Sequence, residues 1–154
     1  MAQRQDNVEL IIQKIFTLDA SFESPNSPNV FKNQWAPEAN IDLNTESEKL
    51  EDDTHLVTLT VTVTAKTKDQ HAFVVEVKQA GIFTIKGGDK ETVSSVLGAY
   101  CPSTLFPYAR EAISSLVNRG GFPQLSLAPI NFDALYMQGL EHESKGKKAK
   151  SKAH

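Results

Sequence analysis

The sequence predicts an α+β fold: a four-stranded antiparallel sheet followed by C-terminal helices. Three observations lead there. Residues 9–85 carry four stretches in which apolar and polar residues alternate at period two, the mark of strands with two unlike faces. The short polar turn KTKDQ joins the third stretch to the fourth, which favours antiparallel pairing. After Gly87-Gly88 the apolar spacing lengthens to three and four residues, as on a helix. Strands first and helices second is the segregated order of α+β domains.

The first strand is ELIIQKIFTLDASFE, 9–23. Leu10, Ile12, Phe16, Leu18, Ala20 and Phe22 share one parity, and Asp19, Ser21 and Glu23 share the other. VELIIQKIF alone also fits a helix; its β-branched content and the later alternation decide for strand. SPNSPNVFKNQWAP, 24–37, has three prolines and no period. A loop this long is either functional or disordered, and a mere linker has no use for Phe31 and Trp35. Ile41 and Leu43 alternate with Asp42 and Asn44 in a short strand within 38–47. HLVTLTVTVTA, 55–65, is the clearest strand, with Val57, Leu59, Val61, Val63 and Ala65 set against four threonines. HAFVVEVKQAGIFTI, 71–85, returns beside it, and Gly81 marks a bulge or a close approach.

The helices come next. DKETVSSVLGAY reads as a short one stopping near Gly98. STLFPYAREAISSLVNRGG reads as a longer one, capped by Ser103, with Pro107 in its first turn and Leu105, Ala109, Ile113, Leu116 and Val117 as its apolar stripe. Gly120 fits its left-handed stop. FPQLSLAP is an extended connector, and Asn131 caps the last helix, FDALYMQGLEHE.

A chain of 154 residues makes one domain, placed at 1–143. The single cysteine rules out an internal disulfide framework and fits a reducing cytosol. The N-terminus has no basic start with a long apolar run, so no signal peptide is expected, and no stretch approaches the roughly 20 apolar residues of a membrane span. Net charge is −3, yet five lysines lie after Glu143. Residues 1–143 keep 11 basic against 19 acidic side chains, a net −8. An acidic body disfavours nucleic acid as a partner and favours a basic protein. The Lys-rich tail, 144–154, reads as disordered.

Catalytic chemistry finds little support. Cys101 is the only thiol, and no histidine can be tied to it, so a small buried hydrophobe at a turn is the better reading than a nucleophile. No His, Cys or carboxylate spacing matches a metal site, and GGDK lacks the rest of a phosphate loop. The acidic run Glu46, Glu48, Glu51, Asp52, Asp53 does not match a calcium loop. What remains is apolar: Phe31 and Trp35 in the loop, Tyr136, Met137 and Leu140 on the last helix. They either close the core or line a groove for apolar segments. A small hot-dog-like thioesterase, with Asp133 as its one candidate carboxylate, and a scaffold for one folded partner are the alternatives.

SFESPNSPNVF (21–31), GIFTI (81–85), LGAYCPSTLFPYARE (97–111) and RGGFPQLSLAPINFDALY (119–136) resemble the protein-export chaperone family SecB. The likeness is spread over 9–141; the Lys-rich tail departs from the family's polar or acidic ones. The resemblance implies a SecB-like fold and a cytoplasmic chaperone without metal, nucleotide or other cofactor, and not an enzyme. It implies a homotetramer, a dimer of dimers, that holds unfolded precursors and passes them to the ATPase SecA, with no nucleic acid bound and no insertion into the membrane. It further implies SecA docking at Asp19, Glu23, Val74 and Glu76, against a basic segment stabilised by zinc on the partner's side. Client binding is expected at Phe31, Trp35, Ile41, Leu43, Tyr136 and Leu140. Assembly is expected through Val75, Val77 and Gln79, on the parity opposite Glu76.

Overall fold

The computed structural model describes residues 7–152, with side-chain surroundings through His142. Four strands form one antiparallel sheet: β1 (Glu9–Glu23), β2 (Glu38–Glu51), β3 (Thr54–Thr67) and β4 (Gln70–Lys86), in the order β1-β4-β3-β2. β1 and β2 are therefore the free edges. The β3–β4 hairpin turns on Lys68 and Asp69, both at positive φ (50° and 65°), the backbone that matches the strands' right-handed twist. β2 runs 14 residues, well beyond the short strand expected. The acidic residues Glu46, Glu48 and Glu51 belong to it, because an edge strand tolerates charges that face water.

Register sorts the side chains into two faces. Val61 lies opposite Val77, Phe22 opposite Val75 and Leu43 opposite Val61, so these share the inner face. The outer face carries Glu23 opposite Val74, Ser21 opposite Glu76 and the threonines of β3. Two register shifts in β1, between Ile12 and Lys14 and between Thr17 and Asp19, break the single parity expected for this strand. They put Phe16 on the outer face opposite Ala80 and leave Leu18 54% exposed. Asp19, Ser21 and Glu23, beyond the second shift, keep their common face.

Helix α2 (Cys101–Arg119) lies on the inner face, over β4 and β3. Its Leu105, Phe106, Ala109, Ile113 and Val117 join Val57, Leu59, Val61, Val63, Phe73, Val75 and Val77 in one core. The residues expected to serve assembly lie on this face. Val75 and Val77 are 0% exposed within the single chain, and Gln79 is 3% exposed with its Oε1 accepting a hydrogen bond from Thr17 Oγ1 at 3.1 Å. The chain's own α2 packs over that face. Val77→Phe is therefore expected to overpack the subunit core, at about 1–3 kcal/mol, and to lower the midpoint of denaturant unfolding. Dissociation at unchanged subunit stability would instead support the interface assignment. Gly81 is a close-approach site with no bulge of its own: a Cβ there would lie 2.7 Å from Phe83 Cε2 and 3.1 Å from Leu105 Cδ2.

The helical half departs from expectation at its joints. α1 (Lys90–Ser95), a π turn (Val96–Tyr100) and α2 run on without a break, so neither Gly98 nor Ser103 is a terminus. Asp89 caps the start, its Oδ1 accepting from Thr92 N–H at 2.8 Å, which holds the exposed carboxyl below its usual range. In the π turn Cys101 N–H reaches Val96 O, five residues back. Pro102 comes directly after, and Pro107 lies inside α2; each removes one donor from a ladder that packing against the sheet still supports. The stop is shifted by one residue: Gly120 has φ −74° and Gly121 has φ +89°. Gly121 N–H bonds Asn118 O and Phe122 N–H bonds Val117 O, a Schellman motif whose apolar residue is Phe122. α3 (Phe132–Lys152) starts at Asn131, whose Oδ1 accepts from Ala134 N–H at 3.0 Å. Its backbone continues through the Lys-rich segment to Lys152, which composition alone marks as disordered. Lysine and alanine propagate a helix once a packed turn has nucleated it. Residues 153–154 of that tail lie outside the described residues.

Candidate functional site

The loop 24–37 is built in. Ser24 Oγ donates to Ala72 O and Asn26 Nδ2 to His71 O, both at 3.0 Å, while Thr67 Oγ1 donates to Gln34 O at 3.3 Å. These bonds tie the loop across the β3–β4 end of the sheet and seat Val30 in the core, 3% exposed. Phe122 is the hub of an aromatic cluster at this end. Its ring centroid lies 5.0 Å from Phe31, 5.1 Å from Phe73, 5.4 Å from Trp35 and 6.4 Å from Phe22. Phe122 is absent from the residues expected on sequence grounds, although an apolar residue directly after a Gly-Gly helix stop is a usable signal. Phe31, 48% exposed, is the outward side of this cluster.

From there β2 leads along the inner face. α2 covers β4 and β3 and leaves the inner row of β2 largely bare. Ile41 is 38% exposed, and Leu43 is partly buried against the core. Farther along the strand, Thr45, Ser47 and Lys49 form one wall of an 820 Å³ cleft, and Gly139 and Leu140 of α3 lie on its other side. Leu140 is 43% exposed. The structure thus brings Phe31 and Trp35 together at one end, sets Ile41 and Leu43 on the strand between, and places Leu140 at the other end. Tyr136 lines the same cleft; one edge of its ring packs against Gly98 and its hydroxyl is 2.8 Å from Ser94 Oγ. Tyr136 thus packs between the helices and still lines the cleft, where client contact is expected.

The outer face is the second feature. Glu23 stands opposite Val74, Ser21 opposite Glu76 and Asp19 opposite Lys78. Glu76 is thus the diagonal neighbour of both Asp19 and Glu23, within reach of one basic segment laid across two strands. The four residues named from the sequence for this role lie side by side, with Thr62 and Thr64 of β3 next to them.

Cys101 settles the matter of thiol chemistry. It is 0% exposed, and burial pushes its pKa up to about 12. At neutral pH the reactive thiolate is essentially absent. The folded chain is expected to resist thiol reagents near pH 8 and to react only on unfolding; rapid labelling without denaturant would contradict this. Below the ordinary value of 9.0 the thiol is protonated in both states. Between 9.0 and about 12 only the unfolded thiol ionises, so its contribution to stability is lost as pH rises through that window.

The family model described as "Preprotein translocase subunit SecB" matches residues 3–143. The chain belongs to the SecB family. "Protein-export protein SecB" of Legionella pneumophila strains Corby and Lens is 54% identical over 148 residues, covering 96% of this chain and 91% of each relative. Among solved structures, a SecB-like chaperone of Mycobacterium tuberculosis in complex with a ChAD peptide from an antitoxin superposes with a TM-score of 0.66, over 79% of this chain and 90% of that one, at 15% identity. The fold is accordingly SecB-like, and the protein is a protein-export chaperone of the SecB family. Among the described residues no helix is long and apolar enough to cross a membrane.

Proposed function

We propose that this SecB-family chaperone holds precursor proteins unfolded in the groove along β2 and hands them to SecA, without nucleotide, metal or chemistry of its own. The observation that carries the groove is the apolar inner row of β2, which α2 leaves bare between the Phe31–Trp35–Phe122 cluster and the cleft beside α3. Apolar surface left open on one face of an otherwise well-packed chain suits a varied apolar ligand. The SecB-like chaperone of M. tuberculosis was solved with a peptide, which is in keeping with a peptide groove in this fold. SecA docking falls to Asp19, Glu23, Val74 and Glu76 on the outer face, so the two ligands occupy opposite sides of the sheet and need not compete.

The working form is a cytoplasmic homotetramer, a dimer of dimers. The buried Val75, Val77 and Gln79 leave the outward side of the helices as the surface for assembly. Tyr100 and Tyr108, eight residues apart and therefore on a similar side, are 54% and 51% exposed. Several grooves around one long chain add avidity that a single groove lacks.

Binding of a chemically denatured, unrelated polypeptide without nucleotide tests the reading. Ile41→Gln with Leu43→Gln is expected to weaken capture about tenfold or more and to leave the far-UV circular dichroism intact, with some loss of stability because Leu43 is partly buried. Undiminished capture by a folded double variant would remove β2 from the site.

A further inference from the structure

We propose that Tyr136 is the latch that positions α3 as the movable wall of the client groove. The inference rests on the groove reading above and adds a residue that controls it. α3 is held to the body at two points. Its first residue, Phe132, is 5% exposed, with its ring 5.7 Å from Phe106 of α2. One turn later Tyr136 packs on the π turn with the Cδ1–Cε1 edge of its ring against the bare backbone of Gly98, where a Cβ would come within 2.6 Å of Tyr136 Cε1. Its hydroxyl meets Ser94 Oγ at 2.8 Å. The principal packing of α3 on other elements is this contact with Val96–Tyr100. Beyond it, Met137 and Leu140 are 58% and 43% exposed, and Gly139 and Leu140 face Thr45, Ser47 and Lys49 across the open cleft.

Such a helix is free to pivot. Phe132 is sunk in the core and acts as the fixed point. Tyr136 is a single half-buried ring with one exposed hydrogen bond. Releasing it moves Leu140, eight residues and roughly 12 Å along the helix from Phe132, away from β2. The groove then widens at its polar end without disturbing the sheet. Gly98 is required because the ring occupies the place of its side chain. Its backbone is helical, so alanine is compatible with the fold and displaces the ring alone.

The test uses the full chain with Gly98→Ala, Tyr136→Phe, Tyr136→Ala and the double variant Gly98→Ala/Tyr136→Ala. Hydrogen–deuterium exchange is measured over 132–142 and over β3 and β4, and stopped-flow association and dissociation are measured with a denatured, unrelated, fluorescent polypeptide. Gly98→Ala and Tyr136→Ala are expected to raise exchange in 132–142 by roughly tenfold, leave β3 and β4 unchanged, and speed both association and dissociation. Tyr136→Phe, losing the hydrogen bond alone, should raise it by about two- to tenfold. The double variant should match Tyr136→Ala, since there is no ring left to displace. Unchanged exchange in 132–142, a strictly additive double variant, or a parallel rise in β3 and β4 would overturn the latch. Raised exchange with unchanged client kinetics would overturn its control of the groove. If the parent chain captures no unfolded polypeptide, the groove reading fails instead, and the exchange pattern still decides whether Tyr136 holds α3.

Discussion

Asp19→Ala combined with Glu23→Ala is expected to weaken SecA binding about 30-fold and to flatten its salt dependence, with capture of unfolded clients close to that of the parent. Each acid, paired with a basic residue of the partner, contributes about 1 kcal/mol at an exposed rim, and two such losses make a factor of about 30. Steering by the acidic face also disappears, so association slows and the remaining affinity responds less to salt. Both residues are exposed and Ser21 between them is polar, so the fold has no stake in either carboxylate. The outer face they share with Val74 and Glu76 is turned away from β2's inner row. Calorimetric titration of SecA and of a denatured polypeptide, each at two salt concentrations, reads the result. Full SecA affinity would reject the docking assignment, and an equal loss of both ligands would show that the substitutions act through the fold.

Phe122→Ala is expected to be the most damaging single truncation, at about 3–5 kcal/mol, a large part of the roughly 5–15 kcal/mol that holds a domain of this kind together. The ring is 3% exposed and contacts Phe22, Phe31, Trp35 and Phe73, so its loss opens a cavity between the sheet, the end of α2 and the loop 24–37. The functional consequence exceeds the loss of stability. Without Phe122, Phe31 and Trp35 have no common surface to rest on, and the aromatic end of the groove loses its shape. Denaturant unfolding should show the lowered midpoint, and client affinity measured well below it should fall as well. A folded variant with normal capture would mean that the aromatic cluster serves the core alone.

The strands are legible in the sequence because a pleated sheet half exposed to water imposes period two on it. The alternation of Val57 to Ala65 against threonines, and of Phe73 to Val77 against Val74 and Glu76, survives intact in β3 and β4. That Asp19 and Glu23 share a face is legible for the same reason, since they lie four residues apart on one strand; the docking role proposed for them comes from the family likeness alone. β1 is harder, since a bulge inserts one residue without leaving a mark in composition. β2 is longer than its alternation suggests, because an edge strand with charged residues looks like a loop when its pairing partner is unknown.

By itself the sequence determined the element order, the turn within KTKDQ, the two faces of β3 and β4 and the family. These come from local rules, namely period, turn chemistry and helix stops, and from long shared motifs. The tertiary structure alone decided what each face meets. Parity says that Val75 and Val77 point opposite to Glu76; it cannot say whether a helix of the same chain or another subunit covers them. Tyr136 has the character of a groove residue, and only the fold puts Gly98 beneath its ring, some 38 positions back in the chain. Burial and contact belong to two surfaces at once, and residues far apart in sequence become neighbours only when the sheet and its helices close on each other.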